Sequence, residues 1–325
     1  MKIIHSKNKL LLIIFMVLAF SVSACKQTGQ PPERITPENA LQNITYSFKN
    51  PDTGQKFSII HAYQLYENFF EAVQNQPDEQ LFKLFQQEII TPVNESCFED
   101  AKLMNSEDIF ELVTKRSDFE RVKNQIEKMN TDQLNEVFEE SLVKSSNALP
   151  TDKETTVCIF PENENFPSDM GTIGAGQIVV YYEGFDKYFK SAMSHEYHHS
   201  VWLEKHLKDN KPLTGLDHLT LEGEAVMFET LMYPDLNSMY TLINESFNKE
   251  VWSKIEPSLE RDAGPEILEI IMGGSNGIPN YYGYSEGYKI VRSYLDLHPE
   301  MTVEEWTAQE PKELFEEVNY LANYR

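Results

Sequence analysis

The stretch that most restricts what this 325-residue chain can become is Ser194-His195-Glu196-Tyr197-His198-His199, near its middle. It contains the pattern H-E-x-x-H, which is specific because of helical spacing. Positions i and i+4 of a helix lie almost above one another, so His195 and His199 can bring two imidazole nitrogens to one tetrahedral ion. Glu196 then stands beside that ion, where a water would be. The spare histidine, His198, lies about 60° around the helix from His195 on the side away from His199. It is read as a surface residue or as one acting behind the ligands.

A catalytic zinc takes three protein ligands and keeps one position open, so a third ligand is required from a second helix. The segment Leu219 to Glu229 offers three acids. Glu222 shares a face with Leu219, Ala225 and Val226, which points it to the core, where an unpaired carboxylate is costly. Glu224 is rotated about 200° from it and is expected to face solvent. Glu229 returns to the buried face seven residues on, placed to orient a ligand histidine from behind. Gly223 lets the two helices approach closely. The reading is therefore a Zn2+ site of His195, His199 and Glu222. Two alternatives stay open: Glu222 as a buried acid paired with Arg or Lys, and His206 or His218 as the third ligand.

The N-terminus sets the compartment. Lys2, Lys7 and Lys9 precede an apolar run from Leu10 to Phe20 and then Val22-Ser23-Ala24-Cys25. A charged start, a short apolar core and a cysteine after small residues read as a lipoprotein signal, with Cys25 as the lipidated N-terminus after cleavage. The apolar run is shorter than the roughly 20 residues a spanning helix needs. Loss of residues 1–24 removes three lysines and no acid, which deepens the formal charge from −24 to −27. That charge disfavours a nucleic-acid partner by repulsion. In an exported chain Cys97 and Cys158 are free to pair, or to remain two buried thiols.

Residues 25–43 read as a flexible tether rich in proline, and 44–150 as a mostly helical N-terminal region. Two short strands begin that region, Ile44 to Phe48 and Lys56 to Ile60, and its lone His61 reads as a packing residue. Residues 151–325 form the catalytic region. Its β-branched, apolar runs Thr155 to Phe160 and Gln177 to Tyr182 read as strands, joined by a glycine-rich loop from Pro161 to Gly176 that lacks any phosphate-loop ending. Helices are expected over 186–206, 216–232, 237–260, 284–296 and 302–321, the last opened by a capping box of Thr302 and Glu305. The fold class is α+β and helix-rich: a zincin-like core with a small sheet and an active-site helix, plus the N-terminal helical region.

The motifs H-E-Y-H-H, Glu222-Gly223-Glu224-Ala225 and Gly283-Tyr284-Ser285-Glu286-Gly287-Tyr288, in that order, resemble a bacterial family of predicted Zn-dependent proteases, the YjaZ-like proteins. That family is in turn similar to the gluzincin peptidases, whose third ligand is a glutamate. The resemblance runs over about Thr155 to Leu295 and departs from the family pattern at Glu224. It implies peptide-bond hydrolysis by a zinc-activated water with Glu196 as general base, and a tyrosine, here Tyr284, as oxyanion donor. Core packing is an equal reading of Tyr284, which shares a helical stripe with Tyr288, Val291 and Leu295. The strand Gln177 to Tyr182 precedes the motif helix, where gluzincins place the edge strand that pairs with an extended peptide. The expectation is a metallopeptidase acting on a peptide or protein, held to the extracytoplasmic face of the cell membrane by lipid on Cys25. Its rivals are a non-catalytic envelope lipoprotein with a structural or absent metal, and a zinc hydrolase of a non-peptide bond.

Overall fold

The computed structural model describes residues 41–103, 115–161, 170–182, 184–207, 212–236 and 246–325. Residues 1–40, which include the expected signal segment, Cys25 and most of the expected tether, lie outside the described residues. One mixed five-stranded sheet organises the rest, in the order β1-β2-β3-β5-β4. The two N-terminal strands, β1 (Thr45–Lys49) and β2 (Lys56–Ile60), pair antiparallel around a turn in which Asn50 Oδ1 accepts from Asp52 N at 2.8 Å and Gly54 takes a φ of 81°. β2 then runs parallel to β3 (Thr155–Pro161), and β3 parallel to β5 (Gln177–Tyr182). The sheet is therefore shared by residues 44–150 and 151–325.

Period-two alternation sends the side chains of β3 and β5 into two cores. Cys158, Phe160, Val179 and Tyr181 pack on one face with residues of α1 (Tyr66–Ala72) and α2 (Thr91–Phe98). Val157, Ile159, Ile178 and Val180 pack on the other face, against residues of α4 (Thr131–Ala148) and α5 (Phe189–His206). Both faces being covered explains why these strands read as continuous apolar runs. Between α2 and α4 lies α3 (Phe119–Ile126). A disulfide between Cys97 on α2 and Cys158 on β3 ties the first helical layer to the sheet.

Two expectations about strands need correction. Met170–Gly174 is not loop but a strand, β4, antiparallel to β5. Consequently β5 is interior and β4 is the edge. In Met-Gly-Thr-Ile-Gly only Thr172 and Ile173 favour a strand and a glycine stands on either side of them, so local propensity marks it weakly. Pairing with β5, which bulges between Thr172 and Gly174, makes it a strand. Residues 162–169 lie outside the described residues.

The remainder is helix-rich as expected, with one helix, Pro265–Met272, in addition to those expected. α5 carries the histidine motif, α6 (Gly215–Met232) follows, and α7 (Lys249–Ile255) is capped by Asn248 Oδ1; residues 237–245 of the predicted helix lie outside the described residues. α8 (Pro265–Met272) and α9 (Tyr282–Leu297) come next. The Thr302 and Glu305 capping box is present, but the helix it opens ends at Thr307, and Pro311 starts a separate one, α10 (Pro311–Glu317). Proline at a first-turn position begins a helix and cannot continue one. Among the described residues no helix is long and apolar enough to cross a membrane.

Candidate metal centre

α5 lies on the sheet, α6 packs on α5, and α9 packs on α6. The last contact is made by backbone. A Cβ on Gly223 would sit 2.1 Å from the carbonyl carbon of Gly287, and one on Gly287 would sit 2.0 Å from the Leu219 oxygen. Gly223 thus serves the approach of α9, rather than that of the histidine helix as its sequence context suggests. A buried carboxylate keeps α9 in register: Glu286 accepts from Tyr320 Oη at 2.6 Å, Tyr324 Oη at 2.5 Å and Lys289 Nζ at 2.5 Å. The charge of Glu286 and burial together raise both phenols above their usual range, burial being the larger cause.

These helices bring His195, His199 and Glu222 together. Glu222 Oε2 lies 3.3 Å from His195 Nε2 and 3.3 Å from His199 Nε2. A tetrahedron with edges of that length has its centre about 2.0 Å from each corner, the usual Zn–N and Zn–O bond length. The donor set of two nitrogens and one carboxylate oxygen therefore fits zinc in both spacing and chemistry. His195, Glu196 and His199 each bring a donor atom to within 4.8 Å of the others. Behind His195, its Nδ1 faces Glu229 Oε2 at 3.4 Å, the arrangement that orients a ligand imidazole and raises its basicity.

Electrostatics agree with a cation site. Burial by itself pushes the His195 imidazole down, but hydrogen bonds to Glu222 and Glu229 and the fields of Glu229 and Glu196 outweigh it and raise the group to about 10. For Glu222, burial favours the neutral acid. The charge on His199 and the hydrogen bonds to both histidines reverse that and hold the carboxyl well below its ordinary value. In the metal-free chain the centre thus retains a proton as its cation.

Glu196 is held by a residue that sequence reasoning missed. Thr172 on β4 donates its main-chain N–H to Glu196 Oε2 at 2.7 Å. Its hydroxyl lies 2.9 Å from the same oxygen and 2.7 Å from the Glu196 carbonyl. Thr172 sits inside the stretch read as a glycine-rich loop, and no local pattern marks it. The adjacent Ile173 carbonyl accepts from Lys102 N at 2.7 Å and Leu103 N at 3.0 Å, so part of the edge of β4 is already covered.

The other sequence candidates fall at varied distances from the centre. The Tyr284 ring lies 6.1 Å from that of His195, with its hydroxyl 3.9 Å from Met272 Sδ. His198 is wholly buried rather than at the surface; it is turned to Thr307 Oγ1 at 3.2 Å and stacks on Trp306. Glu224, expected in solvent, is also wholly buried, with Oε2 3.8 Å from His198 Nε2. The physical reason is that α6 is enclosed on nearly all sides, so the face opposite Glu222 is a second interior. Burial pushes the Glu224 carboxyl well up and the His198 imidazole well down, which favours the neutral form of each. His206 bonds the Thr307 carbonyl at 2.7 Å and stacks on Trp202. His61 packs against Tyr63 and bonds Asn135 at 2.9 Å. His218 precedes Glu222 by one turn of α6 but borders a neighbouring cavity.

Among known proteins, the chain matches the family described as "Predicted Zn-dependent protease (DUF2268)" over residues 134–316, from α4 to α10. No curated protein and no solved structure matches it. More than half of the chain, including both histidines of the motif, Glu222 and the helix that packs on them, falls within that match, and the chain therefore belongs to this family of predicted Zn-dependent proteases.

Proposed function

We propose that this protein is a zinc metallopeptidase that hydrolyses peptide bonds outside the cytoplasm, anchored to the membrane by lipid on Cys25. The observation that carries the reading is the equal 3.3 Å spacing of Glu222 Oε2 from the two histidine nitrogens, with Glu196 held beside them by the edge strand. His195, His199 and Glu222 would hold the ion. When bound, zinc supplies Lewis-acid polarisation of a scissile carbonyl and lowers the pKa of water toward neutrality.

The chain's own residues do the rest. Glu196 accepts a proton from the attacking water and returns it to the nitrogen of the leaving amine. Thr172 fixes one oxygen of that carboxylate and so keeps the other directed for the transfer. Glu229 keeps the His195 ring turned toward the ion. Tyr284 supplies a hydroxyl donor for the oxygen on which negative charge develops. This role is supported by the closeness of its ring to His195. An extended peptide pairs along the edge of β4 up to Ile173.

Export is supported by the N-terminal pattern of Lys2 to Cys25 and by the Cys97–Cys158 disulfide, a bond that persists in oxidising compartments. A structural site has no need of Glu196, which argues against a non-catalytic lipoprotein. The test uses protein lacking residues 1–24. It should bind one zinc and cleave a peptide library, and Glu196→Gln should keep the zinc while losing turnover. Absence of stoichiometric zinc after reconstitution would end the proposal. Cys25→Ser in the full chain should release it from membranes.

A further inference from the structure

Among the described residues, a positive φ is confined to six glycines, two asparagines and one tyrosine, Tyr281 at 54°. Glycine meets no steric cost in that region and asparagine little, whereas a bulky ring persists there only where the surrounding structure imposes it. The contrast is sharpest within one loop. Between α8 and α9, Gly273, Gly274, Asn276 and Gly277 take φ of 65°, 80°, 51° and 71°, each with a residue suited to it. Tyr281, the cap residue of α9, takes the same left-handed conformation with φ 54° and ψ 31°. A glycine or asparagine would make that bend with less strain, so the side chain and not the bend is what requires tyrosine.

The ring of Tyr281 leads to the metal centre. It stands edge-on to the ring of Tyr284, with centroids 6.0 Å apart at 74°, a favourable aromatic geometry. The Tyr284 ring in turn lies 6.1 Å from that of His195. Helical side chains lean back over the preceding turn, so the residue three places before Tyr284 is the one its ring meets. Met272, at the end of α8, ties the pair from another side. Its carbonyl accepts from Tyr281 N at 2.5 Å, and its Sδ lies 3.9 Å from Tyr284 Oη. The first turn of α9 has no room to shift, since a Cβ on Gly283 would lie 2.5 Å from Ile271 Cα and Tyr282 is buried in the core. With the backbone fixed, the freedom left to Tyr284 is rotation of its side chain between staggered positions.

We infer that Tyr281 is a positioning residue: its ring selects the Tyr284 rotamer that lies beside His195, and its left-handed backbone is kept for that purpose. The catalytic consequence rests on the role given to Tyr284 above.

The experiment compares Tyr281→Gly and Tyr281→Phe in the zinc-loaded full chain, each alone and combined with Tyr284→Phe. Glycine fits the left-handed backbone without the ring, so Tyr281→Gly should keep its zinc and its melting temperature. Its kcat on a peptide should fall about tenfold while KM changes by less than about twofold. Tyr281→Phe retains the ring and should work at the native rate. In the Tyr284→Phe background, Tyr281→Gly should lower kcat no further, because residues that act through one another are not additive. A native kcat in Tyr281→Gly, a loss of zinc or stability that accompanies the fall in kcat, or an equal fall in both backgrounds would overturn the inference. If Tyr284→Phe alone leaves kcat unchanged, or no peptide is cleaved, the role of Tyr284 fails instead. The crystal structure of Tyr281→Gly then decides the inference by itself: a Tyr284 ring turned away from His195 upholds it, and a ring still in place overturns it.

Discussion

Thr172 and Glu196 are joined by main chain and side chain at once: the Thr172 N–H lies 2.7 Å from Glu196 Oε2 and the hydroxyl lies 2.9 Å from that same oxygen. The hydroxyl has one proton, shared between Oε2 and the Glu196 carbonyl. Thr172→Val keeps the N–H bond and removes the other. A hydrogen bond to a charged group contributes about 1.5–3 kcal/mol, so kcat should fall about tenfold or more while zinc content and KM stay put. Thr172→Ser should restore the rate. If KM rises and kcat does not fall, Thr172 serves the edge strand only.

Glu222 and Glu224, two residues apart, should behave in opposite ways. Glu222→Ala removes one of the three proposed ligands, and bound zinc, read by atomic absorption after dialysis, should fall below stoichiometry. Glu224→Gln should keep its zinc. Because burial raises the Glu224 pKa above 4.5, the folded state holds this proton more tightly than the unfolded chain does. Stability therefore falls as pH rises above about 4.5, and Glu224→Gln should flatten that slope and melt a few degrees higher at pH 7. Melting curves from pH 4 to 8 decide it; identical slopes would mean that Glu224 is ionised in the fold.

Zinc has to displace the proton on His195. That group is raised from 6.5 to about 10 in the metal-free fold. Its contribution to the stability of the metal-free protein is fully present below pH 6.5 and is lost as pH rises through about 10. Over the same window zinc affinity should rise, by about tenfold per pH unit for each proton released. Competition with a chelator at pH 6.5, 7.5 and 8.5 measures this, and an affinity independent of pH would contradict the carboxylate field around His195.

Gly223 and Gly287 leave no room for a methyl group. Gly223→Ala places a Cβ 2.1 Å from Gly287 backbone, which cannot rotate away. Separating α6 from α9 should cost about 3 kcal/mol and carry Glu222 away from the histidines. Denaturant titration should show the loss of stability, and zinc affinity should drop with it. A variant of full stability would mean that the helices meet elsewhere.

Much of the fold was legible because it rests on local periodicity. The two parallel strands, the motif helix and α6 follow from apolar runs and helical stripes in the chain. The strand β4 was not legible, because only Thr172 and Ile173 of its five residues favour a strand, with a glycine on either side, and pairing with β5 decides the conformation. Gly223 and Gly287 were visible as motif glycines, but their meeting was not, since two helices about sixty residues apart carry no mutual signal in sequence.

Sequence by itself determined that His195 and His199 share a helix face with Glu196 between them, because a spacing of four on a 3.6-residue helix allows nothing else. It also determined which acids on α6 lie on opposite faces. Only the tertiary structure decided what those faces meet. Periodicity separates the two sides of a helix but cannot say that both are interior, so the burial of Glu224 and the placing of Thr172 against Glu196 came from the packing of α6 and β4 around α5.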